Sequence, residues 1–381
     1  MSGRALVGAA AVLLAGMIGG SASGQSLRLG DAVVLKPTAR LHADIRTTDG
    51  DGNSDADLDL ARRRVGVKGK VGARVEFEVE RELDADGRWR DVFVDVRASR
   101  ALQVRAGHFK VPFSREQLTG AGDLDFIDRS RAADVLAPGR GAGVEVHGRV
   151  ARRVVGYQAG AFVRDGTRSD PSRAAGHEPT VAARLTVRPF GSTRRTGRFS
   201  DLEIGVASTV SDLDEGRASL RGRLTTKDVF FAPVLVSGRR LRVGGDLDWR
   251  PGPLGIRAEF LRADDARQHQ GLLGETLPPL RAQGWYVSGV WAVSTRVELA
   301  ARAERLSFGT PGAADLQIWT PRAEQFSAVT DHSWTLGVNW TVHRFVRVQA
   351  NAVREQIVDR SRAGSSAHAS WKPVVRIQVA M

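Results

Sequence analysis

The side chains able to do chemistry in this sequence are charged ones, and their spacing suits ion handling rather than bond making. Across Leu60–Val71, Arg62, Arg64, Lys68 and Lys70 occupy even positions, and Val65, Val67, Gly69 and Val71 occupy odd ones. An extended chain points successive side chains to opposite faces, so the four cations share a face. Arg240, Arg242 and Arg250 repeat that parity. Fixed cations along a water-filled passage select ions by sign. The opposing reading is structural, because Glu76, Glu78, Glu80 and Glu82 follow directly and neutralise much of the first group.

Other chemistry finds little support. The stretch Asp49–Asp59 (D-G-D-G-N-S-D-A-D-L-D) places oxygen ligands at every second position, as a calcium loop would. Ser54 stands where an EF-hand requires glycine, and Leu60 where it requires the bidentate glutamate, so a solvated acidic loop fits better and calcium stays open. GxSxG, HExxH and P-loop motifs are absent, and the eight histidines are scattered. His108 and His147 fall on predicted strands as polar, inward-facing residues. No enzyme, cofactor or metal centre is expected.

Those cations need strands to position them. From Thr38 onward the chain falls into segments of about ten residues with alternating polarity, the length and period of tilted membrane-spanning strands. Counting them gives about sixteen, from Thr38, Leu60 and Arg74 to Pro373–Met381. Folding the first clear hairpin about Gly72 sets Arg62 against Glu82, Arg64 against Glu80 and Lys68 against Glu76, favourable cross-strand pairs. Residues 219–231 are assigned to a loop, because an extra strand there would put the tight turn at Pro251–Pro253 on the side of the long loops. Segments 264–282, 307–332 and 357–371 then become long external loops. Trp285 and Trp291 share a face, as do Trp334 and Trp340. Six residues on a tilted strand rise roughly 14 Å, so each pair marks the edges of an apolar band. The chain alternates to its last residue, Met381, as a closed barrel requires.

Composition agrees. The 381 residues carry net charge +13, 42 glycines and no cysteine, so closure depends on backbone hydrogen bonds. The charge favours anionic partners such as nucleic acid, acidic glycans, lipid phosphates or small anions. With a barrel the expected ones are lipid phosphates and small anions, with no nucleic acid. Arg4, the apolar run Ala5–Ile18 and the small residues before Gln25 form a signal peptide over residues 1–24. The barrel domain is then 25–381. Arg63 and Arg81 point to the lipid side at the outer end and are expected to touch lipopolysaccharide phosphates.

One stretch breaks the period. After Leu102–Lys110, Pro112 ends the strand, and alternation resumes only at Gly141. A connection this long among hairpins is functional or disordered. Leu124, Phe126 and Ile127 give it something to pack, so residues 111–139 are predicted to fold into the barrel mouth as a constriction. Its cations Lys110, Arg115, Arg129, Arg131 and Arg140 are balanced by Glu116, Asp123, Asp125, Asp128 and Asp134.

The blocks G-V-K-G-K-V (66–71), G-H-F-K-V-P-F-S-R-E-Q-L-T (107–119), I-D-R-S (127–130) and G-R-G-A-G-V-E-V-H-G (139–148) resemble the phosphate-selective porin O and P family. The resemblance spans the chain from about residue 36 to its end. It implies a sixteen-stranded outer-membrane barrel, usually a homotrimer, with the third extracellular loop folded inward. It also implies anion binding, phosphate included, by a lysine cluster and an arginine ladder. The expected function is passive diffusion of small hydrophilic solutes with an anion bias. The rival is a secreted or periplasmic β-rich protein binding acidic ligands, its apolar faces packed as a sandwich.

Overall fold

The computed structural model describes residues 26–50, 53–84, 87–165, 179–190, 201–218, 235–269, 276–309, 329–359 and 366–381. The signal peptide and residues 219–231 lie outside them. The strands are β1 (Leu27–Leu29), β2 (Val33–Gly50), β3 (Asn53–Val71), β4 (Val75–Glu82), β5 (Trp89–Arg97) and β6 (Gln103–Lys110). After two short helices, α1 (Arg115–Leu118) and α2 (Arg131–Leu136), come β7 (Arg140–Val150), β8 (Val155–Phe162) and β9 (Thr180–Val187). The chain continues with β10 (Glu203–Ala218), β11 (Leu235–Trp249), β12 (Leu254–Arg267) and β13 (Leu277–Ala292). It ends with β14 (Val297–Gly309), β15 (Val329–His343), β16 (Val346–Asp359) and β17 (Ser366–Ala380).

Each of β2–β17 pairs antiparallel with its sequence neighbour, and β17 returns to β2, with Ala380 opposite Arg40 and Val374 opposite Arg46. This closes a ring of sixteen strands and leaves no edge to aggregate. Met381 is part of the seam, exchanging backbone hydrogen bonds with Ala39 at 3.0 and 3.2 Å. The short β1 adds to the end of β2 where β17 has stopped.

The ring is inverted relative to a water-soluble fold. Val65, Val94, Val144, Val206, Val287, Leu336 and Ile377 are exposed on its outer face, while Asp44, Glu145, Arg184, Arg242, Ser288, Thr335 and Arg376 are buried. That arrangement suits lipid outside and water inside. The sandwich alternative would need a second sheet over the apolar face, and the described strands form one ring. The four tryptophans of the predicted band all point outward.

Two expectations are corrected. The β3–β4 ladder pairs Arg64 with Glu82, Lys68 with Glu78 and Lys70 with Glu76, two residues away from the expected register. Gly72, at φ +56°, is the first residue of the turn rather than its midpoint, so Val71 meets Val75. The offset is even and the faces are unchanged. Several strands also run further outward than their alternation indicated: β12 reaches Arg267, β13 starts at Leu277 and β14 ends at Gly309. Beyond the membrane both faces of a strand meet water, so the ladder continues after the pattern fades. For the same reason residues 49–50 and 53–59 are paired strand ends of the β2–β3 hairpin, where the sequence suggested an acidic loop.

Candidate functional site: the inner wall, residues 111–139 and the basic vestibule

Residues 111–139 leave the ring between β6 and β7. Two serines start the helices: Ser114 Oγ accepts from Gln117 N at 3.1 Å, and Ser130 Oγ from Ala133 N at 3.2 Å. Glu116 joins the helices by accepting from Ser130 N at 2.9 Å and Ser130 Oγ at 2.6 Å. Phe113, Ala132, Ala133 and Leu136 then pack on Leu261, Ala263, Leu280, Ala282, Leu306 and Phe308. Those six sit on the buried face of β12–β14, an apolar patch on a face predicted to be polar. Leu124, Phe126 and Ile127 are buried as expected.

Polar contacts tie the segment to distant strands. Arg115 pairs with Glu203 of β10 at 2.6 Å and Asp248 of β11 at 2.5 Å. Asp125 pairs with Arg257 of β12. Asp128 meets Arg46 of β2 at 2.6 Å, and Ile127 O accepts from Arg376 of β17 at 2.7 Å. Asn339 of β15 donates to Asp125 O at 2.9 Å, and Asn351 of β16 accepts from Ile127 N at 2.8 Å. Burial alone would raise the Asp128 carboxyl, but Arg46, Arg376 and Arg131 overcome it and hold it down at about 2. At Asp125 burial prevails over Arg257 and Arg347, and the carboxyl is raised.

Most of the cations singled out in the sequence are occupied. Arg64 holds Glu80 at 3.1 Å and Glu82 at 2.6 Å. Lys68 and Lys70 pair with Glu78 and Glu76 at exposed positions, where such pairs contribute little. Lys110 Nζ donates to Leu118 O and Thr119 O, both at 2.9 Å. Arg129 donates to Glu116 O at 3.1 Å and Thr119 O at 2.9 Å. Arg131 engages Asp331 and Glu355, and Arg140 engages Asp91 at 2.6 Å. Arg240 and Arg242 converge on Asp165, with Asp265 also on Arg240. These side chains hold segments to the wall.

Arg62 is different. It makes no hydrogen bond with a described side chain, its Nε is buried, and its charged neighbours include Arg64, Arg90, Arg129 and Arg376. Opposite it on β2 is His42, fully buried with both ring nitrogens unpartnered among the described residues. Arg40 Nε is likewise unpartnered. The sequence reading missed Arg40 and His42, although both share the inward parity of Asp44 and Arg46.

At the end of the ring with short turns, the periplasmic end by the barrel rule, lies a cavity of about 1970 Å³. Eleven arginines line it against six carboxylates. Arg97, Arg100, Arg149, Arg152, Arg153 and Arg188 gather on the β5–β9 side, with Arg250, Arg257 and Arg347 across from them. The β7–β8 turn holds Ala151, Arg152 and Arg153 at φ +48°, +56° and +71°. Each left-handed non-glycine residue costs about 1–2 kcal/mol, so this Arg-Arg turn is strained. No glycine marks the turn, so nothing in the sequence signals it.

A closed antiparallel ring of sixteen strands, apolar outside and charged within, is the architecture of an outer-membrane porin. The sequence profile of the phosphate-selective porin O and P family matches residues 35–379, and the chain belongs to that family. A search of curated protein sequences gave no match. Among solved structures the chain is similar to OmpT of Vibrio cholerae, with TM-score 0.63 and 12% identity, over 94% of this chain and 100% of that one. It is also similar to the channel DcaP of Acinetobacter baumannii, with TM-score 0.63 and 12% identity, over 93% and 99%. OmpF of Salmonella typhi gives TM-score 0.59 at 8% identity, over 94% and 100%. At these identities the likeness concerns the fold.

Proposed function

We propose that the protein is an outer-membrane diffusion channel for small hydrophilic solutes, biased toward anions and able to take phosphate. The observation that carries the bias is the vestibule, where arginines outnumber carboxylates eleven to six. Such a surplus raises the local concentration of anions. Outside that cavity, on the β2–β3 wall, Arg40, His42 and Arg62 add unpartnered nitrogens that an oxyanion would satisfy. Residues 111–139 act as the constriction, anchored by Arg115, Arg129, Arg131 and Asp128, so they set size more than sign. Export by cleavage of residues 1–24, assembly as a homotrimer and contact of Arg63 and Arg81 with lipopolysaccharide complete the proposal. Arg81 lies 5.2 Å over the ring of Trp89 at the outer end of β4.

The test is the zero-current potential of the purified protein in a planar bilayer under a salt gradient, with phosphate added afterwards. An anion-selective potential with block by low phosphate supports the full proposal. Conductance that is cation-selective refutes the bias, and folded protein without conductance refutes the channel.

A further inference from the structure

Above the unpaired arginines of the vestibule, five successive strands set polar side chains in one transverse row of the inner wall. Gln103 of β6, His147 of β7 and Gln158 of β8 are direct cross-strand neighbours, with Arg97 of β5 and Arg184 of β9 at the two ends. All five line the vestibule of about 1970 Å³, and the middle three are half-buried. A charged neighbour orients each of those three. Arg97 Nε donates to Gln103 Oε1 at 3.0 Å. His147 Nε2 donates to Asp95 at 2.9 Å, and Gln158 Nε2 to Glu145 at 3.4 Å. What remains is the Nε2 donor of Gln103, the Nδ1 lone pair of His147 and the carbonyl oxygen of Gln158. None of these makes a hydrogen bond with a described residue.

A fully ionised phosphate only accepts hydrogen bonds, so it suits the Gln103 donor and turns its lone pairs on the other two groups. A hydroxyl both donates and accepts, and a ligand with several hydroxyls satisfies all three. Neighbouring strands lie about 4.8 Å apart, so the row from Gln103 to Gln158 spans roughly 10 Å, the scale of one sugar ring with its hydroxyls. Arg149 follows His147 by two residues on β7, roughly 7 Å nearer the periplasmic end. Gly156 stands opposite Arg149 and puts no side chain into the space beside it. Arg152 and Arg153 lie on the turn just beyond, and arginine binds phosphate through parallel N–H donors. Groups that read hydroxyls and groups that hold a phosphate thus follow one another along β7.

We infer that the vestibule contains a binding site for a sugar phosphate, with hydroxyls on Gln103, His147 and Gln158 and the phosphate on Arg149 and the Arg152–Arg153 turn. The inference rests on the anion-drawing vestibule proposed above, and adds the row that separates a hydroxylated phosphate ester from the bare ion. Such a row favours the ester because the bare ion leaves its polar groups unpaired.

The test is titration calorimetry of the detergent-solubilised full chain with glucose 6-phosphate, inorganic phosphate and glucose, which needs no conductance. Each hydrogen bond to a hydroxyl contributes about fivefold, so two of them should favour glucose 6-phosphate over phosphate about 25-fold. Glucose lacks the charged group and should bind more weakly than its phosphate ester. Q103L/Q158L should bring the 25-fold preference close to one. His147→Leu, a single change in the same row, should lower it about fivefold and guards against misfolding of the double variant. R149A/R152A should weaken both phosphate ligands by similar factors. Equal binding of glucose 6-phosphate and phosphate by the wild type, or a preference that survives both row variants, overturns the sugar-phosphate site and leaves the anion-drawing vestibule standing. Binding of neither phosphate ligand overturns both.

Discussion

If the basic vestibule sets the sign of the permeant ion, removing its unpaired charges must change selectivity by a calculable amount. Arg149, Arg152 and Arg153 line the cavity and make no hydrogen bond or ion pair with a described carboxylate, so R149A/R152A/R153A deletes field without deleting latches. For an ion about 10 Å from each, one charge in water contributes about 0.4 kcal/mol before screening. At 0.1 M salt the Debye length is about 10 Å, which leaves about 0.15 kcal/mol each, or about 0.5 kcal/mol for three. Anion and cation respond oppositely, so the permeability ratio should fall about fivefold. At 0.01 M the length is about 30 Å, the sum rises to about 0.9 kcal/mol and the fall becomes about 20-fold. Zero-current potentials at both salt concentrations measure this directly. An unchanged potential refutes the assignment of selectivity to the vestibule. A change of equal size at both concentrations refutes the electrostatic mechanism.

Four further outcomes are expected. Asp165→Ala removes the carboxylate on which Arg240 and Arg242 converge and should lower unfolding stability by about 3–5 kcal/mol, seen in denaturant titration. Arg62→Met removes a buried unpartnered nitrogen, so it should raise stability by about 1 kcal/mol while reducing phosphate block of the conductance. Because Asp128 ionises well below the ordinary 3.8, its contribution is complete above that value and disappears as pH falls through about 2. Asp128→Asn should therefore show at pH 5 the current noise that the wild type reaches only near pH 2; matching traces at pH 5 would exclude this latch. Leu136→Ala opens a cavity beneath α2 and should cost about 2–5 kcal/mol, detected as faster proteolysis between residues 111 and 139.

The alternating residues of the sequence determined the strands, their number, their faces and the place where the period fails. They could do so because side-chain direction in a strand depends only on parity. Arg62, Arg64, Arg240 and Arg242 were inward by that rule whatever the register proved to be, and the two-residue error at Gly72 cost nothing. Parity is silent about partners. Whether a cation is free or paired depends on side chains brought close by closure of the ring, such as Asp165 to Arg240, 75 residues apart, or Asp44 to Arg376, 332 apart. Ten of the eleven cations expected along the pore are held by carboxylates or backbone carbonyls, and for Arg115, Arg131, Arg240 and Arg242 closure of the ring is the reason. The left-handed turn at Ala151–Arg153 and the apolar inner patch under α2 were equally hidden, the first because no glycine marks it and the second because it packs against a segment far away in the chain. The sequence by itself determined a charged passage through a barrel, and only the tertiary structure decided which charges remain available to an ion, because pairing is a property of distance in space.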